Sequence, residues 1–351
     1  MPTQSDNSAL LFVQTSFADV QVSKLDSIQT LWSGYGEIAR YFVPTLAQSV
    51  IVKLVQPPTQ MNHPRAWNGK RSHQRKLDSY LNESVFYQQY AQQTDQFCRT
   101  PACYFYSSKA NSKQKLTLAD GDDATSALIM EDLDQAGYSK RCDTADLKTV
   151  RLGLRWLAYF HAKFLNKGLK DVWPIGSYWH LATRPDEFKA MPDSQLKKYA
   201  HRVDASLNSA RFQTLIHGDA KLANFCFSEN GDDLAAVDFQ YVGRGAGIKD
   251  VMYFLGSCLS DQALTLHTDT LLDDYFILLK QAIQHYESET NTQGLYCSTI
   301  NFAALEKEWR DLFPLAWADF ERFLVGWANE HYKLNAYMKK QTAIALSQLS
   351  D

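Results

Sequence analysis

The sequence predicts an α+β protein in two parts, a small β-rich part with one key helix at residues 1–133 and a larger, mainly helical part at 134–351. Three observations predict it. Short β-branched runs cluster before residue 134, long amphipathic periods follow, and one hairpin at 225–238 interrupts the helical half.

In chain order, "YFVP" (41–44) and "SVIVKLV" (49–55) read as strands, the second stopped by Pro57-Pro58. The polar, proline-broken segment 56–76 reads as a long loop. Leu77, Tyr80, Leu81 and Val85 recur at helical spacing and predict a helix over 77–91, with Glu83 on the flank of its apolar face. "CYFYSS" and "LTLAD" read as strands of a hairpin. "ALIMEDLD" (127–134) reads as an apolar strand running into an acidic turn, where the two parts divide. Beyond it, "DLKTVRLGLRWLAYFHAKFLN" (146–166) carries a long amphipathic period. Phe320, Phe323, Leu324, Trp327 and His331 predict a single-faced helix near the C-terminus.

The bulk composition narrows the function classes. A chain of 351 residues can bury a substantial core, and a net charge of −3 offers no support for a nucleic-acid partner or an anionic membrane surface. The cysteines form no C-x-x-C pair, which fits reduced thiols in a cytoplasmic protein better than disulfides or a zinc site. The first residues lack the basic start of a secretory signal, and no run approaches ~20 apolar residues, so no membrane span is expected.

The stretch "LIHGDAKLANFCFSENGDDLAAVDFQ" (215–240) raises the chemical question. "FCFS" and "LAAVDF" flank Asn230-Gly231, a pair that tolerates the positive φ of tight turns. Folding the chain about Gly231 sets Phe225 opposite Val237 and Asn224 opposite Asp238. Residues opposed across antiparallel strands have Cα atoms only ~5 Å apart, so the two side chains could share one Mg²⁺, which takes hard oxygen ligands at about 2.1 Å. Asp219, on the loop 215–224 leading in, could then take the proton of an acceptor hydroxyl. Each residue alone also suits a surface hairpin with a solvated rim. Jointly they read H-x-D-x-K-x-x-N and then D-F, the order and spacing of the protein-kinase signature.

"IHGDAKLANFCF", "AAVDFQYVGRGAGIKDVMYFL" and "HPRAWNGKRSHQRKLDSYLNESVFYQQY" resemble the aminoglycoside phosphotransferase and choline kinase-like branch of the protein-kinase-like fold. More closely they resemble the ecdysteroid kinase-like group, over about residues 30 to 340. The resemblance implies a two-lobed fold in which Lys53 contacts the nucleotide phosphates and pairs with Glu83. It implies that Lys221 contacts the transferred phosphoryl, and that Gly34 and Gly36 belong to a degenerate phosphate-covering loop, with Ala39 in the place of a third glycine, although a plain tight turn suffices equally for the pair. Met130, the Glu131 carbonyl and the Leu133 amide would border adenine. His217 and Asp250 would support the catalytic loop, although a helix N-cap also suffices for Asp250. The sequence departs from Asp-Phe-Gly at Gln240, which suggests a permanently assembled metal site.

The short interval between Asp238 and Asp250 leaves no room for the segment that docks a peptide on a protein kinase, so the acceptor is expected to be a small molecule. Trp309, Trp317, Phe320 and Trp327, with Asp319 nearby, could cage a hydrophobic or cationic acceptor, or simply pack as core. The sequence thus points to an ATP- and Mg²⁺-dependent phosphotransferase acting on a hydroxyl of an aminoglycoside, a choline-like amine, a sterol or a sugar alcohol. The rival reading is a catalytically silent nucleotide-binding or scaffold protein on the same fold.

Overall fold

The computed structural model describes residues 4–31, 34–57, 70–108, 126–292 and 300–350. The chain divides into two compact units, one of Met1–Asp95 with Thr100–Lys140, the other of Gln96–Arg99 with Arg141–Asp351.

The first unit opens with a helix the sequence reading did not foresee, α1 (Gln4–Phe17), which ends where Ala18 takes a positive φ of 50°. Strands β1 (Ser23–Thr30), β2 (Gly36–Val43) and β3 (Gln48–Val55) precede α2 (Lys70–Gln89). Strands β4 (Cys103–Ser108) and β5 (Ser126–Glu131) complete an antiparallel sheet in the order β1-β2-β3-β5-β4. Helix α2 starts at Lys70, so residues 70–76 are helical and not loop. "KRSHQRK" holds good helix formers but no apolar period, and periodicity alone passes over it. The remainder of that expected loop, 58–69, and the "LTLAD" strand lie outside the described residues.

Alternation along β3 distributes its side chains. Val50, Val52 and Leu54 join Ala9 and Val13 of α1 in one buried cluster. Val55 packs in a second cluster with Leu31, Tyr35 and Tyr80 of α2. Lys53 therefore shares the face of β3 that α2 covers.

The second unit is mostly helical. Helix α3 (Leu147–Phe164) is capped by the Asp146 side chain, which accepts from the Thr149 amide at 2.7 Å. Then follow α4 (Pro185–Ala190), α5 (Gln195–Asn208) and the short strands β6 (Thr214–Ile216), β7 (Phe225–Phe227), β8 (Leu234–Ala236) and β9 (Gly243–Gly245). Helices α6 (Ile248–Cys258), α7 (Asp261–Thr292), α8 (Phe302–Trp327) and α9 (Ala336–Ser350) close the chain. The C-terminal stripe of aromatics runs along α8 only to Trp327. His331 lies beyond the helix end, its ring 5.8 Å from that of Trp327.

The hairpin forms, but its register differs by one step from a fold centred on Gly231. Phe225 pairs with Ala236, not Val237, and β6 pairs with β9 alongside. The turn centres between Asn230 and Gly231, with the Gly231 amide bonded to the Ser228 carbonyl at 2.9 Å. Asn224 therefore faces Val237, whose amide donates to the Asn224 carbonyl at 2.9 Å, and Asp238 sits one residue further.

Candidate active site

In the first unit, Lys53 and Glu83 form an ion pair, with Nζ 2.9 Å from Oε1 and 2.7 Å from Oε2. Both side chains are nearly fully buried, at 4% and 2% exposure. A lysine and a glutamate survive such burial only when each neutralises the other. Strand alternation brings Lys53 to α2, and the α2 period turns Glu83 inward beside the buried Asn82 and Phe86. Gly34 and Gly36 both have positive φ, 74° and 131°. Gly36 has a further constraint: a Cβ there would lie 2.0 Å from the Leu54 carbonyl oxygen. Met130 and Leu133 are buried at the end of β5, and Glu131 accepts the Ala102 amide at 3.1 Å.

The second unit carries the loop 217–224. Gly218 has a φ of 77°, and a Cβ would lie 2.0 Å from the Tyr241 carbonyl oxygen, so only glycine permits this close backbone approach. Asp250 accepts the amides of His217 at 2.6 Å and Gly218 at 2.9 Å. Helix α6 itself is capped at Gly247, which leaves the Asp250 carboxylate to the loop. His161 on α3, which the sequence reading missed, lies 3.2 Å from Asp250 Oδ2 through Nε2 and 2.9 Å from the Tyr275 hydroxyl through Nδ1. Within an amphipathic helix, nothing in its spacing sets His161 apart. The His217 ring reaches the Val237 carbonyl at 3.0 Å and packs 4.6 Å from Phe239, tying the loop to the hairpin exit.

Asp219 is buried and asymmetric. Its Oδ2 accepts from Lys221 Nζ at 2.8 Å and from Asn224 Nδ2 at 3.3 Å, while Oδ1 has no hydrogen-bond partner among the described residues. An unsatisfied carboxylate oxygen in a buried position is costly unless something else fills the place. Burial works against the Lys221 charge, but Asp219, by charge and hydrogen bond, and Asp238 lift its pKa above the ordinary lysine value. The phenols of Tyr178 and Tyr253, 3.0 Å apart, stand beside this carboxylate. Burial, with Asp219 adding to it, pushes Tyr253 well above the ordinary tyrosine range, so it stays a neutral donor. Its hydroxyl lies close to Asp219 without closing a hydrogen bond of ordinary geometry.

Asp238 adopts a φ of 68°, uncommon for a residue other than glycine. Gln240, standing where the kinase signature has glycine, donates from Nε2 to Asp238 Oδ1 at 2.6 Å. The departure in sequence thus has a structural use: it orients the carboxylate. Asn224 Nδ2 also donates to the Asp219 carbonyl at 2.8 Å, which turns its Oδ1 away from Asp219. An amide oxygen and a carboxylate are hard donors that suit Mg²⁺, with phosphate oxygens and water able to complete the shell. Among the described residues no group of three His, Cys, Asp or Glu side chains could hold a metal unaided.

The aromatic residues of α8 divide differently from a cage. Trp309 is fully buried, donates to the Phe212 carbonyl at 3.0 Å and packs at 6.0 Å from His161. Trp317 is buried against Tyr337 and Phe313. Asp319 is held by the buried Arg322 at 2.7 Å. All three belong to the helical core. Among the described residues no helix is long and apolar enough to cross a membrane.

The sequence profile of the ecdysteroid kinase-like family matches residues 48–166 and 175–288, well over half of the chain. No curated protein matches the chain by sequence. Among solved structures, an amicoumacin kinase in complex with AMP-PNP, Ca²⁺ and amicoumacin is 12% identical with a TM-score of 0.45, covering 94% of this chain and 88% of its own. A microcompartment-associated aminopropanol kinase is 13% identical at a TM-score of 0.45, covering 96% and 94%. A choline kinase from Streptococcus pneumoniae is 12% identical at 0.42, covering 97% and 98%.

Proposed function

The chain belongs to the ecdysteroid kinase-like family, and we propose that it transfers the γ-phosphoryl group of ATP to a hydroxyl of a small molecule, with a divalent metal, Mg²⁺, as cofactor. The acceptor oxygen forms the new bond to γ-phosphorus, the bond from that phosphorus to the β,γ-bridging oxygen breaks, and ADP leaves. The acceptor's proton passes to Asp219. The observation that carries this reading is the Asp219 carboxylate. One oxygen is fixed by Lys221 and Asn224, and the other is buried with no partner among the described residues.

The remaining residues take roles around that proton transfer. Lys221, kept charged by Asp219, offers a cation to the moving phosphoryl group. Asn224 and Asp238 would hold the metal, which when bound neutralises phosphate charge. Lys53, positioned by Glu83, would meet the α- and β-phosphates, beneath the turn that leads from Gly34 into β2 at Gly36. Met130, Glu131 and Leu133 would border the adenine. Asp250 and His217 hold the loop that presents Asp219.

Asp219→Asn is the direct test. It keeps shape and removes the base, so kcat should fall at least ~100-fold in a coupled ADP-release assay while ATP affinity by calorimetry stays within a few-fold. Near-native turnover by this variant would sink the assignment. Chelation of divalent ions should abolish turnover, and Mg²⁺ should restore it.

A further inference from the structure

The connector between α8 and α9 returns a second lysine to the neighbourhood of Asp219. Its turn is tightly bonded: the Lys333 amide donates to His331 Nδ1 at 3.2 Å, and the Lys333 carbonyl accepts from the Asn335 amide at 2.8 Å. The Lys333 ammonium stands over the Tyr253 ring at 4.9 Å and the Phe320 ring at 5.8 Å. Tyr253 is the phenol that lies against Asp219, bonded to Tyr178. Two aromatic faces with a carboxylate nearby are the recognition surface that quaternary and primary ammonium ligands use. In this chain an internal cation already fills it.

Resting on the kinase reading above, we propose that Lys333 is a specificity-determining residue that reserves the acceptor position for uncharged alcohols and rejects amino alcohols. Tyr253 touches both Tyr178 and Lys333 and stands beside Asp219, so an acceptor whose hydroxyl reaches Asp219 Oδ1 would bring its skeleton toward these side chains. An ammonium two carbons from that hydroxyl meets like charge from Lys333 and Lys221, and finds the rings that would have stabilised it taken. A neutral skeleton meets neither penalty. The charged groups facing Lys333 are Asp219, which favours its charge, and Lys221, which opposes it, while burial keeps the neighbouring Cys258 thiol protonated and neutral. Burial is the larger influence and lowers Lys333 to about 8, so the ammonium is still mostly protonated at neutral pH.

Two arms test this. In the first, tetramethylammonium chloride is titrated against native protein, Lys333→Met and Lys333→Arg, with sodium chloride as the ionic control. Lys333→Met vacates the rings and should bind the cation at least roughly tenfold more tightly than native protein, with Lys333→Arg matching native. Adding Tyr253→Leu to Lys333→Met should remove the gain. In the second arm, ADP release is followed with neutral alcohols, choline and ethanolamine, and Lys333→Met should raise the ratio of amino-alcohol to neutral-alcohol kcat/KM by about tenfold or more. Native protein that binds tetramethylammonium as tightly as Lys333→Met, or that prefers choline, would overturn the proposal. If no alcohol supports ADP release, the kinase reading fails, and the cation-binding arm still decides whether Lys333 occupies the cage.

Discussion

At the scale of single residues, the site shows how burial turns ordinary side chains into specific ones. Asp250 is completely buried and spends its carboxylate on two loop amides and His161. Asp250→Ala would leave those amides without partners, and each buried orphan costs about 1–3 kcal/mol. We expect a loss of at least about 2 kcal/mol in chemical denaturation together with a collapse in turnover. Asp250→Asn, which keeps one acceptor oxygen, should fall between. If Asp250→Ala unfolds at the native midpoint, the loop is not held this way. Gln240 teaches the same lesson from the opposite direction. Its sequence position registers as a missing glycine, while its amide is what bonds Asp238.

At the scale of elements, backbone proximity sets limits that side-chain patterns do not reveal. Gly36 pairs with Val55 across β2 and β3, and its neighbour is the Leu54 carbonyl. Gly36→Ala must therefore separate two strands as well as adopt an unfavourable φ of 131°, and should destabilise the protein by ~2 kcal/mol or more in urea titration. Unchanged stability would place the need for glycine elsewhere. The turn after β5 adds a pH dependence. Burial acts to raise the Asp132 pKa, but hydrogen bonds from Ser49 and Arg40, and the Arg40 charge, outweigh it and lower the pKa. Arg40 Nε lies 2.7 Å from Asp132 and Nη2 2.6 Å from Asp134. A depressed carboxyl pKa contributes stability that is present above the unfolded value and lost as pH falls through the folded one. Asp132→Asn should therefore flatten the acid limb of the stability profile below about pH 4. An unaltered acid limb would show that other carboxylates govern it.

At the scale of the whole molecule, chain order and compact units do not coincide. Residues 96–99 belong with the helical unit although the chain on both sides belongs to the other. The Arg99 carbonyl accepts from Trp156 Nε1 at 2.9 Å and from the Ala236 amide at 3.0 Å, and Phe97 stacks on Tyr159 at 4.7 Å. Trp156→Phe keeps much of the ring packing and deletes one donor, so it should lower stability by about 1 kcal/mol and shift the denaturation midpoint accordingly. A midpoint equal to the native one would mean that the carbonyl is satisfied without it.

The sequence alone determined the α+β class, most of the strands, the reversal at Asn230-Gly231 and the family, because these rest on local period, turn chemistry and motif spacing. It also held the candidate set Asp219, Lys221, Asn224 and Asp238 as a pattern, without geometry. Tertiary structure decided the rest. It moved the hairpin by one register step, since a turn's centre is fixed by its hydrogen bonds and not by its glycine. It placed Trp309 and Trp317 in the core, because aromatic periodicity is identical for a packed helix and a ligand cage. It brought His161, Tyr253 and Lys333 to the loop from distant positions in the chain. Contacts so distant in sequence leave no periodic trace, and only the folded chain creates them.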